Sequence, residues 1–202
     1  MKYLSLIVLT SLFPLLVFGQ QWNDIAASTK VNDIVETTST IWMATNGGLV
    51  SVDKQTNTVS QFTKAKDGVT ANFIEGISKD NSGNLWIGTY MMGLAKQTGS
   101  TWTNVPYPAS FPDMLTHSVR VDQNDVVWAG TSKGLVKYDG TNWELYNSSN
   151  TNLSSFIDGW NIEFDQQGNL YVVSIGVMKF DGTTWTDITT SSALDSYFGG
   201  HT

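Results

Sequence analysis

The stretch DNSGNLWIGTYMMGL, running from Asp80 to Leu94, decides the architecture, because the chain writes it four times. Its counterparts are DQNDVVWAGTSKGL from Asp122, DQQGNLYVVSIGVM from Asp165 and a shorter TIWMATNGGL from Thr40. One aromatic residue centres each copy: Trp42, Trp86, Trp128 and Tyr171, at steps of 44, 42 and 43 residues. A glycine follows each centre (Gly48, Gly93, Gly134 and Gly176), and nine residues further on three copies carry a second aromatic, Trp102, Trp143 and Trp185. Residues recurring in one frame are expected to pack between neighbouring repeats or to make their turns. A period of about 40–50 residues built of short strands is the mark of a β-propeller, with one blade per repeat. The expected fold is all-β, with four-stranded antiparallel blades over residues 31–72, 73–116, 117–159 and 160–196.

The third copy shows how a blade is divided. Residues 118–122 alternate and read as the first strand, and residues 126–130 form a nearly continuous apolar run, as in a strand covered on both faces. Residues 135–138 give a third strand, Asp139 and Gly140 a hairpin signal, and residues 141–146 an outer strand. The turn between the first two strands opens on an aspartate in three copies: Asp80, Asp122 and Asp165. An aspartate there accepts backbone N–H bonds, and the glycines Gly83 and Gly168 tolerate a positive φ. These turns look faintly like calcium loops. Each offers only one or two carboxylates where calcium takes six or more oxygens, so they are read as structural turns and no metal is expected.

Residues 1–19 read as a separate object: Lys2, then a mostly apolar run from Leu4 to Phe18, the layout of a signal peptide. That run is shorter than the roughly 18–20 residues needed to span a bilayer. No later segment is apolar enough to do so, and an exported chain beginning near Gln20 is expected, periplasmic or at the outer surface. There are no cysteines, so packing alone must hold the fold. The net charge of −7 argues against nucleic acid and anionic lipid as partners. Residues 21–27 resemble the outer strand around Trp185, although the fourth repeat already has its own. This orphan strand leads to the expectation that the chain is part of a longer propeller, with further blades toward the C-terminus.

The run from Asp80 to Leu94 resembles the two-component regulator propeller repeat, and residues Gly134 to Gly140 with Trp143 are similar to its later half. The resemblance covers about residues 22–196. It implies an exported propeller of the kind that serves as the periplasmic sensor of membrane histidine kinases and hybrid regulators in Bacteroidetes-type bacteria, many answering to glycan fragments. The fourth copy departs from the pattern, with Tyr171 and Ser174 replacing the usual Trp and Thr, and the first lacks the glycine of the opening turn. No kinase or receiver region is present in these residues.

No catalytic constellation stands out, and no cofactor is expected. The histidines are His117 and His201 alone, without metal-ligand spacing, and the glycine pairs at 47–48 and 199–200 lack the phosphate-loop lysine. The function expected is non-catalytic binding of a carbohydrate or other small extracytoplasmic ligand. A surface scaffold for protein partners is the alternative, and a glycan hydrolase or lyase a more distant one. The binding face should be made by the turns between second and third strands and by the blade-to-blade crossings, which vary while the strands repeat. Its candidates are Tyr90, Met91 and Met92, where other copies have Asn46 and Gly47 or Ser132 and Lys133; then Tyr107, Trp160, His117 and Lys133. Exposed aromatics could stack on sugar rings or anchor a peptide.

Overall fold

The computed structural model describes residues 30–112, 114–151, 161–174 and 176–189. The signal-peptide reading of residues 1–19, the orphan strand at 21–27, Trp160 and His201 lie outside them. Among the described residues, sixteen strands form four sheets of four. Blade 1 holds β1 (Val31–Glu36), β2 (Thr40–Thr45), β3 (Gly48–Asp53) and β4 (Val59–Phe62). Blade 2 holds β5 (Ile74–Lys79), β6 (Leu85–Thr89), β7 (Gly93–Thr98) and β8 (Thr101–Val105). Blade 3 holds β9 (Thr116–Val121), β10 (Val127–Thr131), β11 (Gly134–Tyr138) and β12 (Trp143–Tyr146). Blade 4 holds β13 (Asn161–Phe164), β14 (Leu170–Val173), β15 (Val177–Phe180) and β16 (Trp185–Asp187). Each blade is an antiparallel meander in sequence order, and the first strands of successive blades touch, which makes them the inner strands. The fold is the all-β, partial propeller that the repeats imply. A single helical turn, α1 (Lys64–Asp67), interrupts the crossing from blade 1 to blade 2.

Three apolar clusters lie between blades. The first joins Ala44 and Leu49 of blade 1 to Ile77, Leu85, Ile87 and Ala95 of blade 2, with Trp42 against it. The second joins Trp86 and Leu94 to Val119, Val127, Ala129 and Val136. The third joins Trp128 and Leu135 to Ile162, Leu170, Val172 and Met178. Each central aromatic of blades 1 to 3 thus packs on the blade that follows. Each fully buried Leu or Ile contributes about 1.5–3 kcal/mol, so the stack is held from blade to blade. Gly88 shows how closely the blades approach: a Cβ there would stand 2.6 Å from methyl groups of Thr116 and Val119. Three of the central aromatics also carry a cation: Lys96 lies 5.0 Å from the Trp86 ring, Lys137 5.8 Å from Trp128 and Lys179 5.8 Å from Tyr171, each lysine being the cross-strand partner of its aromatic.

The turns between first and second strands are closed by their aspartates. Asp80 Oδ1 accepts from the N–H of Ser82 and Asn84, Asp122 Oδ1 from Asn124 and Val126, and Asp165 Oδ1 from Gln167 and Asn169. The left-handed position is Gly83, Asp125 or Gly168, with φ of 82°, 62° and 83°. Asp125 also reaches across to blade 2, its Oδ1 accepting from Asn81 N at 2.7 Å. Among the described residues no group of three or more His, Cys, Asp and Glu side chains converges.

Candidate functional site

A second hydrogen-bonded frame builds the opposite end of the blades. The last residue of the second strand is a threonine in blades 1 to 3, buried each time: Thr45, Thr89 and Thr131. Its hydroxyl donates to the carbonyl of Gly48, Gly93 or Gly134 at 2.7–2.9 Å and accepts an N–H from within the same turn. The next residue's N–H bonds to the carbonyl just before the inner strand: Asn46 to Lys30, Tyr90 to Phe73 and Ser132 to Leu115. These bonds clamp the turn between second and third strands onto the start of the inner strand. The side chains of Asn46 and Ser132 tie back as well, Asn46 Oδ1 accepting from Asn32 Nδ2 and Ser132 Oγ from Leu115 N, whereas Tyr90 stands exposed.

Blade 2 has one residue more in this turn, Tyr90-Met91-Met92 before Gly93. The extra length carries Met91 out to 75% exposure, the largest among the exposed apolar side chains of the described residues. Tyr90, Met92 and Phe73 are exposed beside it, and the rings of Phe73 and Tyr90 meet at 5.1 Å with planes 59° apart. Met91 and Met92 form a ridge between two hollows. One, of about 260 Å³, is lined by Phe73, Tyr90, Asn72 and Lys64. The other, of about 520 Å³, runs along the crossing from blade 2 to blade 3, past Tyr107, Pro108, Phe111 and Pro112 to Met114.

The structure therefore brings Tyr90, Met91, Met92 and Tyr107 to one surface. Tyr107 is a wall more than a reader of ligands: its ring packs edge-on to Trp143 at 5.6 Å and its hydroxyl shares a 2.8 Å hydrogen bond with Thr116. Burial raises the Tyr107 hydroxyl pKa well above the usual phenol range, against the opposing effect of the Thr116 bond, so the hydroxyl stays protonated. Lys133 is exposed on the corresponding turn of blade 3 and lines neither hollow. His117 stands elsewhere, at the mouth of the central axis, in a hollow with Asn32, Glu75, Ser118 and Arg120. Sequence reasoning missed Phe73 and Phe111. The signal for Phe73 was present, since it is an aromatic outside the repeated frame that directly precedes an inner strand.

The architecture defines the class: antiparallel four-stranded blades around a common axis, a portion of a β-propeller. Residues 68–91, the heart of the second repeat, match the family model described as two component regulator propeller, and the chain resembles that family. It is similar to the extracellular domain of a hybrid two component system from B. thetaiotaomicron, with 20% identity and a TM-score of 0.64 over 81% of this chain and 23% of that one. It is also similar to YCF48 bound to D1 peptide (17% identity, TM-score 0.59, covering 81% of this chain and 56% of that one). A third likeness is to streptogramin B lyase (16% identity, TM-score 0.61, covering 85% of this chain and 59% of that one). The chain thus spans about a quarter of the first of these structures. At such identities the likeness establishes the fold. No curated protein sequence matches the chain.

Proposed function

We propose that this chain is an extracytoplasmic, non-catalytic binding propeller, the ligand-sensing kind found in two-component regulators. It takes its ligand on the face that carries Tyr90, Met91 and Met92. The observation that carries the reading is the apolar ridge itself: three large side chains exposed on the one turn that is longer than its counterparts, with Phe73 exposed beside them, the turn clamped by the Thr89 hydroxyl. Soluble proteins seldom gather exposed apolar side chains without a partner for them. The tilted Phe73–Tyr90 pair offers a ring face to a sugar or to an apolar side chain, and loops on a rigid scaffold are where such sites are built. The family matched by residues 68–91 and the extracellular origin of one similar structure support the compartment and the sensing role.

A panel of oligosaccharides and short peptides tests this by thermal shift. One class should raise the melting temperature, and Tyr90→Ser combined with Met91→Ser should abolish the shift without changing the unliganded melting. Silence across both classes, or a shift untouched by the double variant, would remove the assignment. A peptide hit would favour the scaffold reading, to which the peptide-bound propeller lends support.

A further inference from the structure

The two ends of the blades differ in charge. Among the described residues, the turns at the far end from Met91 carry Asp80, Asp122, Asp125, Asp139, Asp165 and Asp181. The one cation in those turns, Lys54, is paired with Glu36. At the Met91 end the described loops hold Lys30, Lys64, Lys66 and Lys133 against a single acid, Asp67. None of these four lysines makes an ion pair among the described residues. A chain of net charge −7 thus sets its unpaired cations at the end where its apolar ridge is exposed. An excess of one sign on one face draws ligands of the other.

Of these lysines only Lys64 lines a hollow beside the ridge, the one of about 260 Å³. Its other walls are Ala71, Phe73, Tyr90, Met91 and Met92, with Asn72 next to Lys64. Lys64 N donates to Asn72 Oδ1 at 2.8 Å, and Asn72 O accepts from Gly48 N at 2.7 Å, so the two residues are held side by side. With Oδ1 engaged, Asn72 presents its Nδ2 amide as a donor without a partner among the described residues. Lys64, Asn72, Phe73, Tyr90, Met91 and Met92 are all exposed, so the polar edge and the apolar walls are both open to a ligand.

Building on the reading of this face as the ligand site, we propose that the hollow takes a small aromatic carboxylate. Its ring lies against Phe73, Tyr90 and the two methionines, and its carboxylate meets the Lys64 ammonium and the Asn72 amide. Tilted aromatic pairs and methionine sulfur both accept a further ring, and an ammonium offers a carboxylate charge-assisted hydrogen bonds. The volume lies just under the roughly 300–1,000 Å³ typical of sites for drug-sized ligands, which suits one ring with a short arm. A sugar acid would satisfy Lys64, but it would turn hydroxyls toward the methionines and give up their hydrogen bonds to water.

Titration of the purified chain with hydrocinnamate, its neutral amide, glucuronate and acetate, followed by nuclear magnetic resonance, tests this. Hydrocinnamate should bind about fivefold more tightly than its amide. Raising the salt from about 0.05 M to about 0.5 M should erase most of that preference. Glucuronate and acetate, which lack the ring, should bind more weakly than hydrocinnamate. Lys64→Gln should bring the acid down to the affinity of the amide and leave the amide unchanged. Lys66→Gln removes the same charge outside the hollow and should keep the preference. Tyr90→Ser with Met91→Ser should weaken acid and amide alike. Equal binding of acid and amide, glucuronate binding as well as hydrocinnamate, or a preference that survives Lys64→Gln would overturn the ligand class and leave the face standing as a ligand site. Hydrocinnamate binding untouched by the Tyr90 and Met91 double variant would remove the face as well. No binding of hydrocinnamate would overturn the class alone, the face then resting on the oligosaccharide and peptide panel.

Discussion

Asp139 heads the turn between the third and fourth strands of blade 3. Hydrogen bonds from the Asn142 side chain, then from the Asn142 and Thr141 backbone, hold its pKa down to about 2. The carboxyl is depressed in the folded state, so its contribution to stability is fully present above the ordinary aspartate value of about 3.9 and is lost as pH falls toward 2. Between pH 4 and pH 2 the native chain should therefore lose urea resistance faster than Asp139→Ala does. Parallel acid-dependence in the two proteins would show that the turn does not draw on the charge. Asp181 holds the same place in blade 4 and is lowered by the Thr184 and Thr183 backbone N–H groups, so the two turns should act in the same direction. Gly134 illustrates a different constraint at this scale. With φ of +124° and a hypothetical Cβ pressed into the Tyr146 carbonyl, it leaves no room for any side chain, a constraint Gly48 shares with φ of +109° against the Phe62 carbonyl.

Between elements, Arg120 is the long-range tie: it links the inner strand of blade 3 to those of blades 1 and 4 across the axis. Arg120→Met would keep the bulk and leave the mostly buried Asp33 carboxylate without its cation, at a cost of about 1.5–3 kcal/mol. The urea midpoint should fall with little change of slope, whereas an unaltered midpoint would make the tie incidental. The element frame was legible in the sequence because the aromatic centres, turn aspartates and glycines all share one period. For blade 3 the inner strand starts two residues earlier than its alternation indicates, at Thr116, and the outer one two residues later, at Trp143. The register shifts near the start of β1 and β5 leave no mark on hydrophobic alternation, since an inserted residue moves the pattern without erasing it. Nor was the one turn of α1 legible: it is too short for a 3.6-residue period and is held by Asp67, whose Oδ2 accepts from Thr63 N. Of the candidate surface, the Tyr90–Met92 insertion could be seen by comparing copies. Its partner Phe73 carries a signal in its place directly before an inner strand, but that it meets Tyr90 follows only from the clamp that brings the two together.

At the scale of the whole molecule the two ends of the stack differ from its interior. Ile34, Ile77, Val119 and Ile162 occupy one register, facing the preceding blade; the last three are at most 1% exposed, but Ile34 of blade 1 is 57% exposed. On the forward face, Ala44 and the glycines Gly88 and Gly130 are buried where Val173 of blade 4 is 45% exposed. Two sheet faces built for neighbours therefore lie open among the described residues, and such faces associate. Purified chain should self-associate with rising concentration in sedimentation experiments, and Ile34→Lys with Val173→Lys should shift it toward monomer; a native chain monomeric throughout would mean that the faces are covered. The ligand face is a separate matter, and peroxide oxidation of methionines read by mass spectrometry tests it most directly. Met91 and Met92 should oxidise well before the buried Met43, Met114 and Met178, and the compound class that raises the melting temperature should protect that pair alone. Equal oxidation of Met91 with and without that compound would place the ligand elsewhere and contradict the account.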